Sequence, residues 1–314
     1  MRAAFSEVLV AAAKANPNVL LLTGDHGYAL FDAFRKECPE QYVNCGIAEQ
    51  NMVGVAAGLA KGGFLPIVYG LSAFVPMRVL EQIKIDVCYE SLKVIFIGDG
   101  AGVVYSHLGS SHQCVEDIAA LRAIPNLAIY SPADRHELTY TMQTAMASSQ
   151  ASYLRMGKAD LGDVHSTMPD SDMQTILPIL VRDNAKNLIL ATGSMVSTAL
   201  KLASQRHDVD VYSVPCIKPM AKNHIYELCK NRDNILSLEE HSIYGGLGSC
   251  ISEIIAGDII CNFKKIGIND KFSKYCGDYH YLMDYHELSY QKIETLLNNE
   301  FNAQHDSTID IVRA

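Results

Sequence analysis

The chain has 314 residues, 49% of them hydrophobic and 19% charged, the balance of a globular protein long enough for two ordinary domains. Its net charge of −9 argues against nucleic acid and acidic membrane surfaces as partners, and no apolar run is long enough to span a bilayer. Nine scattered cysteines without Cys-x-x-Cys spacing predict reduced thiols, a cytoplasmic protein and no metal site of its own, and Glu7 and Lys14 interrupt any signal-peptide core at the N-terminus.

Taken in order, the elements alternate. Residues 2–15 read as an amphipathic helix stopped at Asn16-Pro17, and Val19 to Thr23 as a buried strand ending at Gly24-Asp25-His26-Gly27. A Gly- and Ala-rich helix spans 48–61, followed by a strand at 65–69 that ends in Tyr69, a long helix over roughly 73–90 and a strand at 93–97 running into Gly98-Asp99-Gly100. A His-rich loop covers 103–113. Helix 115–122, strand 127–130, helix 133–148 and strand 152–155 complete a first domain, 1–160. Residues 161–175 read as a linker. A second domain, 176–300, carries strands at 187–192, 209–214 and 235–241 and helices at 194–206 and 249–256, before a polar tail at 301–314. No internal repeat is visible. The pattern predicts an α/β protein of two three-layer α/β/α domains with mainly parallel sheets. Ligands gather beyond the carboxyl ends of such strands, where the polar clusters at 24–27, 98–102 and 105–113 fall.

Three side chains carry chemistry. Glu49 stands at the start of the small helix, where an acid either complements the helix dipole or contacts a buried ligand. Phe74, just past a strand end, is equally at home as core or as a ring stacked on a heterocycle. His112 sits in Ser110-Ser111-His112-Gln113, a solvated loop or a proton relay. Gly98-Asp99-Gly100 followed by Asn126 imitates a diphosphate-and-metal motif. The match is rejected on the resemblance of the surrounding segments to a known family, which implies that this stretch is a strand end upstream of the His112 loop and that Asn126 lies in an ordinary turn.

The segment Gly46-Ile47-Ala48-Glu49-Gln50-Asn51-Met52 closely resembles the transketolase family. So do Ser111-His112-Gln113 with Ala119-Ala120-Leu121-Arg122-Ala123-Ile124-Pro125-Asn126, Ser131-Pro132-Ala133-Asp134, Tyr153-Leu154-Arg155, Thr192-Gly193-Ser194, and Glu239-Glu240-His241 with Gly245-Gly246-Leu247-Gly248. The resemblance is to the C-terminal half of that family, a pyrimidine-binding domain followed by a C-terminal domain. It implies thiamine diphosphate as cofactor, with Glu49 hydrogen-bonding a pyrimidine nitrogen through a carboxyl whose pKa burial raises. Phe74 would stack on that ring, and Asp25 and Tyr69 would complete the cofactor contacts. His112, His107, His26, Arg155 and Arg2 would face the sugar or sugar phosphate, with Tyr28 nearby.

The resemblance also implies a partner. The half that binds the diphosphate and its Mg2+ would belong to a separate subunit, and the assembly would be an alpha2beta2 heterotetramer transferring a two-carbon ketol unit to an aldehyde. Leu108 stands where the family has a donor-reading Asp, which points to a different sugar in a specialised pathway. A two-oxo-acid dehydrogenase beta subunit, a deoxyxylulose-phosphate synthase and a catalytically silent subunit that only completes a dimer are the alternatives.

Overall fold

A computed structural model describes residues 1–158, 160–169 and 176–302. Six strands from the first half form one sheet: β1 (Val19–Thr23), β2 (Tyr42–Asn44), β3 (Leu65–Leu71), β4 (Ile95–Asp99), β5 (Leu127–Tyr130) and β6 (Ala151–Met156). From the second half come β7 (Leu177–Leu180), β8 (Asn187–Ala191), β9 (Val209–Ser213), β10 (Cys216–Lys218), β11 (Asn234–Ser242) and β12 (Asn262–Ile268). The first sheet runs β10-β5-β6-β4-β3-β1-β2 and the second β12-β11-β8-β9-β7. All pairings are parallel except β10 with β5 and β7 with β9. The protein is therefore α/β with two mainly parallel sheets.

The period-two alternation of buried strands builds the layers. In β3 and β4, Ile67, Tyr69, Ile95 and Ile97 face a layer containing Phe5, Leu9, Leu138 and Met142, from the helices Arg2–Ala15 and Arg135–Ala147. Val68 and Phe96 face the other way, against Met52, Val53 and Ala56 of the helix Glu49–Lys61. That second core continues through Leu121, Ile124 and Ile217 to Leu188, Ile235 and Ile251. The two sheets thus share one apolar core, and β10 crosses from the second half of the chain to join the first sheet.

The expected helix over 73–90 is broken. Backbone bonds from Phe74 N and Val75 N to Leu71 O make a turn, then a 3-10 turn Met77–Val79, a helical turn Leu80–Gln82 and a π-helix Ile83–Tyr89 follow. Pro76 explains the late start, because proline has no N–H and pushes the preceding residue out of helical conformation. Residues 160–169 form no helix or strand. Val164 N and His165 N donate to Asp134 Oδ2, both at 2.9 Å, so the start of the linker is tied to the helix Arg135–Ala147. The helix Tyr290–Asn302 runs past the expected domain end at 300. The rest of the expected tail, 303–314, and residues 170–175 of the expected linker lie outside the described residues.

Candidate active site

The carboxyl ends of β1, β3 and β4 deliver three segments to one edge of the first sheet: the loop 24–28, the turn 72–78 and the loop 100–113. Glu49 is the first residue of its helix and only 5% exposed. Its Oε2 accepts a hydrogen bond from Arg78 Nη1 at 2.9 Å. The Arg78 guanidinium lies over the Phe74 ring, 4.3 Å from its centroid, a cation–π contact. The Phe74 ring also meets the His112 ring edge-on at 5.4 Å. Glu49, Phe74 and His112, which come from three separate segments, therefore stand in one continuous constellation linked by Arg78.

Sequence reasoning missed Arg78. The signal was present: an arginine four residues after Phe74 reaches back over that ring in any helix-like conformation.

The remaining expected residues divide. His26 is half-buried, with Nε2 3.2 Å from Tyr69 O, and burial lowers its pKa against the opposing charges of Glu49, Asp99 and Asp25. Asp25 and Tyr28 are exposed and hydrogen-bonded to each other. His107 and Leu108 are exposed on the 3-10 turn Ser106–Leu108. His112 Nδ1 lies 3.1 Å from Ser111 Oγ.

Two expectations need correction. Tyr69 is not placed to touch a cofactor. Its ring is enclosed by Phe5 and Phe31, and its hydroxyl donates to Asp99 Oδ2 at 2.9 Å. Arg155 is not available to a substrate phosphate. It is 2% exposed, and its Nε binds both oxygens of the fully buried Asp117 at 3.1 and 2.9 Å. Its Nη2 donates to Glu240 O at 2.7 Å. Arg2 pairs with Asp99 at 2.6 Å, yet its side chain stays half exposed.

The diphosphate-like motif also resolves into ordinary contacts. Asp99 is taken up by Arg2, Tyr69 and Tyr105, and Asn126 Nδ2 donates to Cys88 O at 3.2 Å. Among the described residues no group of three His, Cys, Asp or Glu side chains could hold a metal ion.

The Glu239-Glu240-His241 segment is a joint between the two halves. Glu239 accepts from Leu247 N at 2.7 Å and Gly248 N at 2.8 Å, capping the helix Leu247–Ile255. Gly246 is required because a Cβ there would strike the Glu239 carboxylate. Glu240 crosses to the first half, accepting from Val103 N at 2.8 Å, and it also binds Ser194 and Tyr279. Gly102, at φ +79°, leaves room for that carboxylate. His241 is fully buried; its Nδ1 is 2.8 Å from Ser242 O and its Nε2 accepts from Ala119 N. Burial pushes Glu239 up to about 7 and His241 down to about 4.

These features define an α/β protein with its candidate site at the carboxyl ends of a parallel sheet. Residues 1–163 match the transketolase, pyrimidine binding domain, and residues 179–271 the transketolase, C-terminal domain. The chain belongs to the transketolase family. An apulose-4-phosphate transketolase subunit of Actinobacillus succinogenes is 33% identical over 84% of this chain and 86% of its own length. The 1-deoxy-D-xylulose-5-phosphate synthase of Syntrophus aciditrophicus is 32% identical over 86% of this chain but 42% of its own length. A solved structure of a split gene transketolase, an inactive beta4 tetramer, superposes with a TM-score of 0.86 at 27% identity, covering 96% of this chain and 98% of that one.

Proposed function

We propose that this chain is the pyrimidine-binding subunit of a two-subunit transketolase-like enzyme that moves a two-carbon ketol unit from a sugar or sugar phosphate to an aldehyde. The observation that carries the reading is the Glu49, Phe74 and His112 constellation at one sheet edge. It fits the pyrimidine end of thiamine diphosphate: a nearly buried carboxylate beside an aromatic face. Arg78 engages both groups here, and its side chain is half exposed. Thiamine diphosphate, when bound, supplies the carbanion chemistry. Glu49 would hold a proton against the pyrimidine ring, Phe74 would fix the plane of that ring, and His112 would move a proton at the sugar carbonyl or hydroxyl. Asp25 would help hold the cofactor. His26, His107 and Arg2 would orient substrate, with Leu108 shaping a different donor preference.

The diphosphate and its Mg2+ are assigned to a partner subunit, and the engagement of Asp99 with Arg2, Tyr69 and Tyr105 supports this. We infer an alpha2beta2 assembly. Asn51, Gly54, Val55 and Gly58 leave one face of the Glu49 helix exposed, flanked by exposed Ile47, Ile85 and Tyr89. A cytoplasmic location agrees with nine free cysteines. Among the described residues no helix is long and apolar enough to cross a membrane.

Calorimetric titration of the isolated chain with thiamine diphosphate and magnesium tests the two-subunit reading. Little heat is expected; micromolar binding without a partner would contradict it.

A further inference from the structure

The loop that carries His112 is a closed excursion. Gly102 N donates to Cys114 O at 2.7 Å and Cys114 N to Gly102 O at 3.0 Å, pinching residues 103–113 at their base. Beyond that pinch, much of its support comes from the second half of the chain. Glu240 holds Val103 N at the start of the excursion. At its far end Ser110 Oγ donates to Ser273 O at 3.0 Å, and Ser273 Oγ donates to Gln113 Oε1 at 2.7 Å.

Ser273 Oγ has a single proton, and Gln113 receives it. Its contact with His286 Nε2 at 2.8 Å therefore has the imidazole N–H donating. His286 is 2% exposed and follows the helix Tyr279–Tyr285 directly. Its ring packs edge-on against Tyr285 at 4.9 Å, and its backbone N–H donates to Leu282 O at 2.9 Å. A rigid helix end thus sets the imidazole, the imidazole sets the hydroxyl, and the hydroxyl sets the amide next to His112. Gln113 is itself 8% exposed, so its side chain has little room to choose another place.

We propose that Ser273 and His286 are positioning residues for His112, and that the second domain of this chain serves the reaction by fixing where that imidazole stands against Phe74. The proposal rests on His112 acting on substrate, and it gives a role in the chemistry to a segment more than 150 residues away. A buried relay through Ser273 Oγ suits this task, because a shift of about 1 Å in a reacting group costs up to roughly a hundredfold in rate.

The test uses the assembled two-subunit enzyme and the isolated chain. In the enzyme, Ser273→Ala and His286→Phe should lower kcat for ketol transfer by between about tenfold and a hundredfold. KM should change less, the histidine limb of the pH profile should move, and cofactor thiazolium proton exchange should be unaltered. Ser273→Thr, which keeps the hydroxyl, should restore most of the activity. In the isolated chain, hydrogen exchange at amides 106–113 should quicken in Ser273→Ala. Wild-type transfer and pH profile in Ser273→Ala, in an assay where His112→Ala is crippled, would overturn the proposal alone. Wild-type transfer in His112→Ala would overturn the site reading and the proposal with it. Unchanged exchange at 106–113 would overturn the positioning role whatever His112 does.

Discussion

Arg155 separates a structural arginine from a substrate-binding one. Arg155→Met keeps much of the side-chain volume but removes both Nε bonds to Asp117 and the bond to Glu240 O. Asp117 is fully buried, and the bond from Tyr153 Oη at 2.7 Å remains to it. Two unit charges about 4 Å apart at an effective dielectric of about 20 attract by about 4 kcal/mol. Breaking a buried pair from one side costs about 3–5 kcal/mol. With a slope of about 3 kcal/mol per molar urea, the unfolding midpoint should fall by about 1–2 M. Adding Asp117→Asn should recover part of that loss, because the uncompensated charge is removed. Urea denaturation followed by far-UV circular dichroism measures both. The reasoning is refuted if Arg155→Met unfolds at the wild-type midpoint while KM rises for a phosphorylated donor and not for its unphosphorylated counterpart.

The joint between the halves should show in the pH dependence of stability. His241 titrates near 4 in the fold against an ordinary 6.5, so as pH falls through that window the unfolded chain takes up a proton that the folded chain refuses, and stability drops. Glu239 titrates near 7 against an ordinary 4.5, so the folded chain holds the extra proton and stability drops as pH rises from 4.5 to 7. Urea midpoints measured from pH 4 to 7 should therefore gain a steeper upward slope in Glu239→Gln and lose upward slope in His241→Asn; identical slopes in both variants and wild type would contradict the burial argument. The exposed face of the Glu49 helix predicts that light scattering on the assembled enzyme gives two copies of each subunit, and a stable, active one-to-one complex would contradict that.

How much of this was legible in the sequence depended on what each residue type can reveal alone. The strands β1, β4, β5 and β8 were legible because short apolar runs between helical segments have few other readings. The edge strand β12 was not, since Lys264 and Lys265 sit inside it, a charge pattern that edges tolerate. The strand β10 is three residues long and ends against Pro219, too short to show any period. The late start of the segment after Phe74 could have been read from Pro76. Glu49, Phe74 and His112 were legible as candidates, whereas Arg78 was passed over although its spacing of four from Phe74 hinted at the contact that the turn at 72–78 makes. Arg155 was misassigned because a guanidinium looks the same in sequence whether it faces solvent or a buried acid; Asp117, its partner, lies 38 residues upstream. The Glu239-Glu240-His241 segment was recognised as a motif, but its task as a joint depends on Val103 and Ala119, which only the fold brings near it.

Exchange of the thiazolium proton of bound thiamine diphosphate, followed by NMR in the assembled enzyme, tests the central reading most directly because it needs no knowledge of the sugar. Glu49→Gln keeps the volume and hydrogen-bonding capacity of the side chain but cannot share a proton with the pyrimidine. The account predicts that the variant assembles normally and exchanges that proton about a hundredfold more slowly or worse, the scale of lost acid–base assistance. Exchange at the wild-type rate would leave Glu49 a helix-end acid paired with Arg78 and would contradict the account.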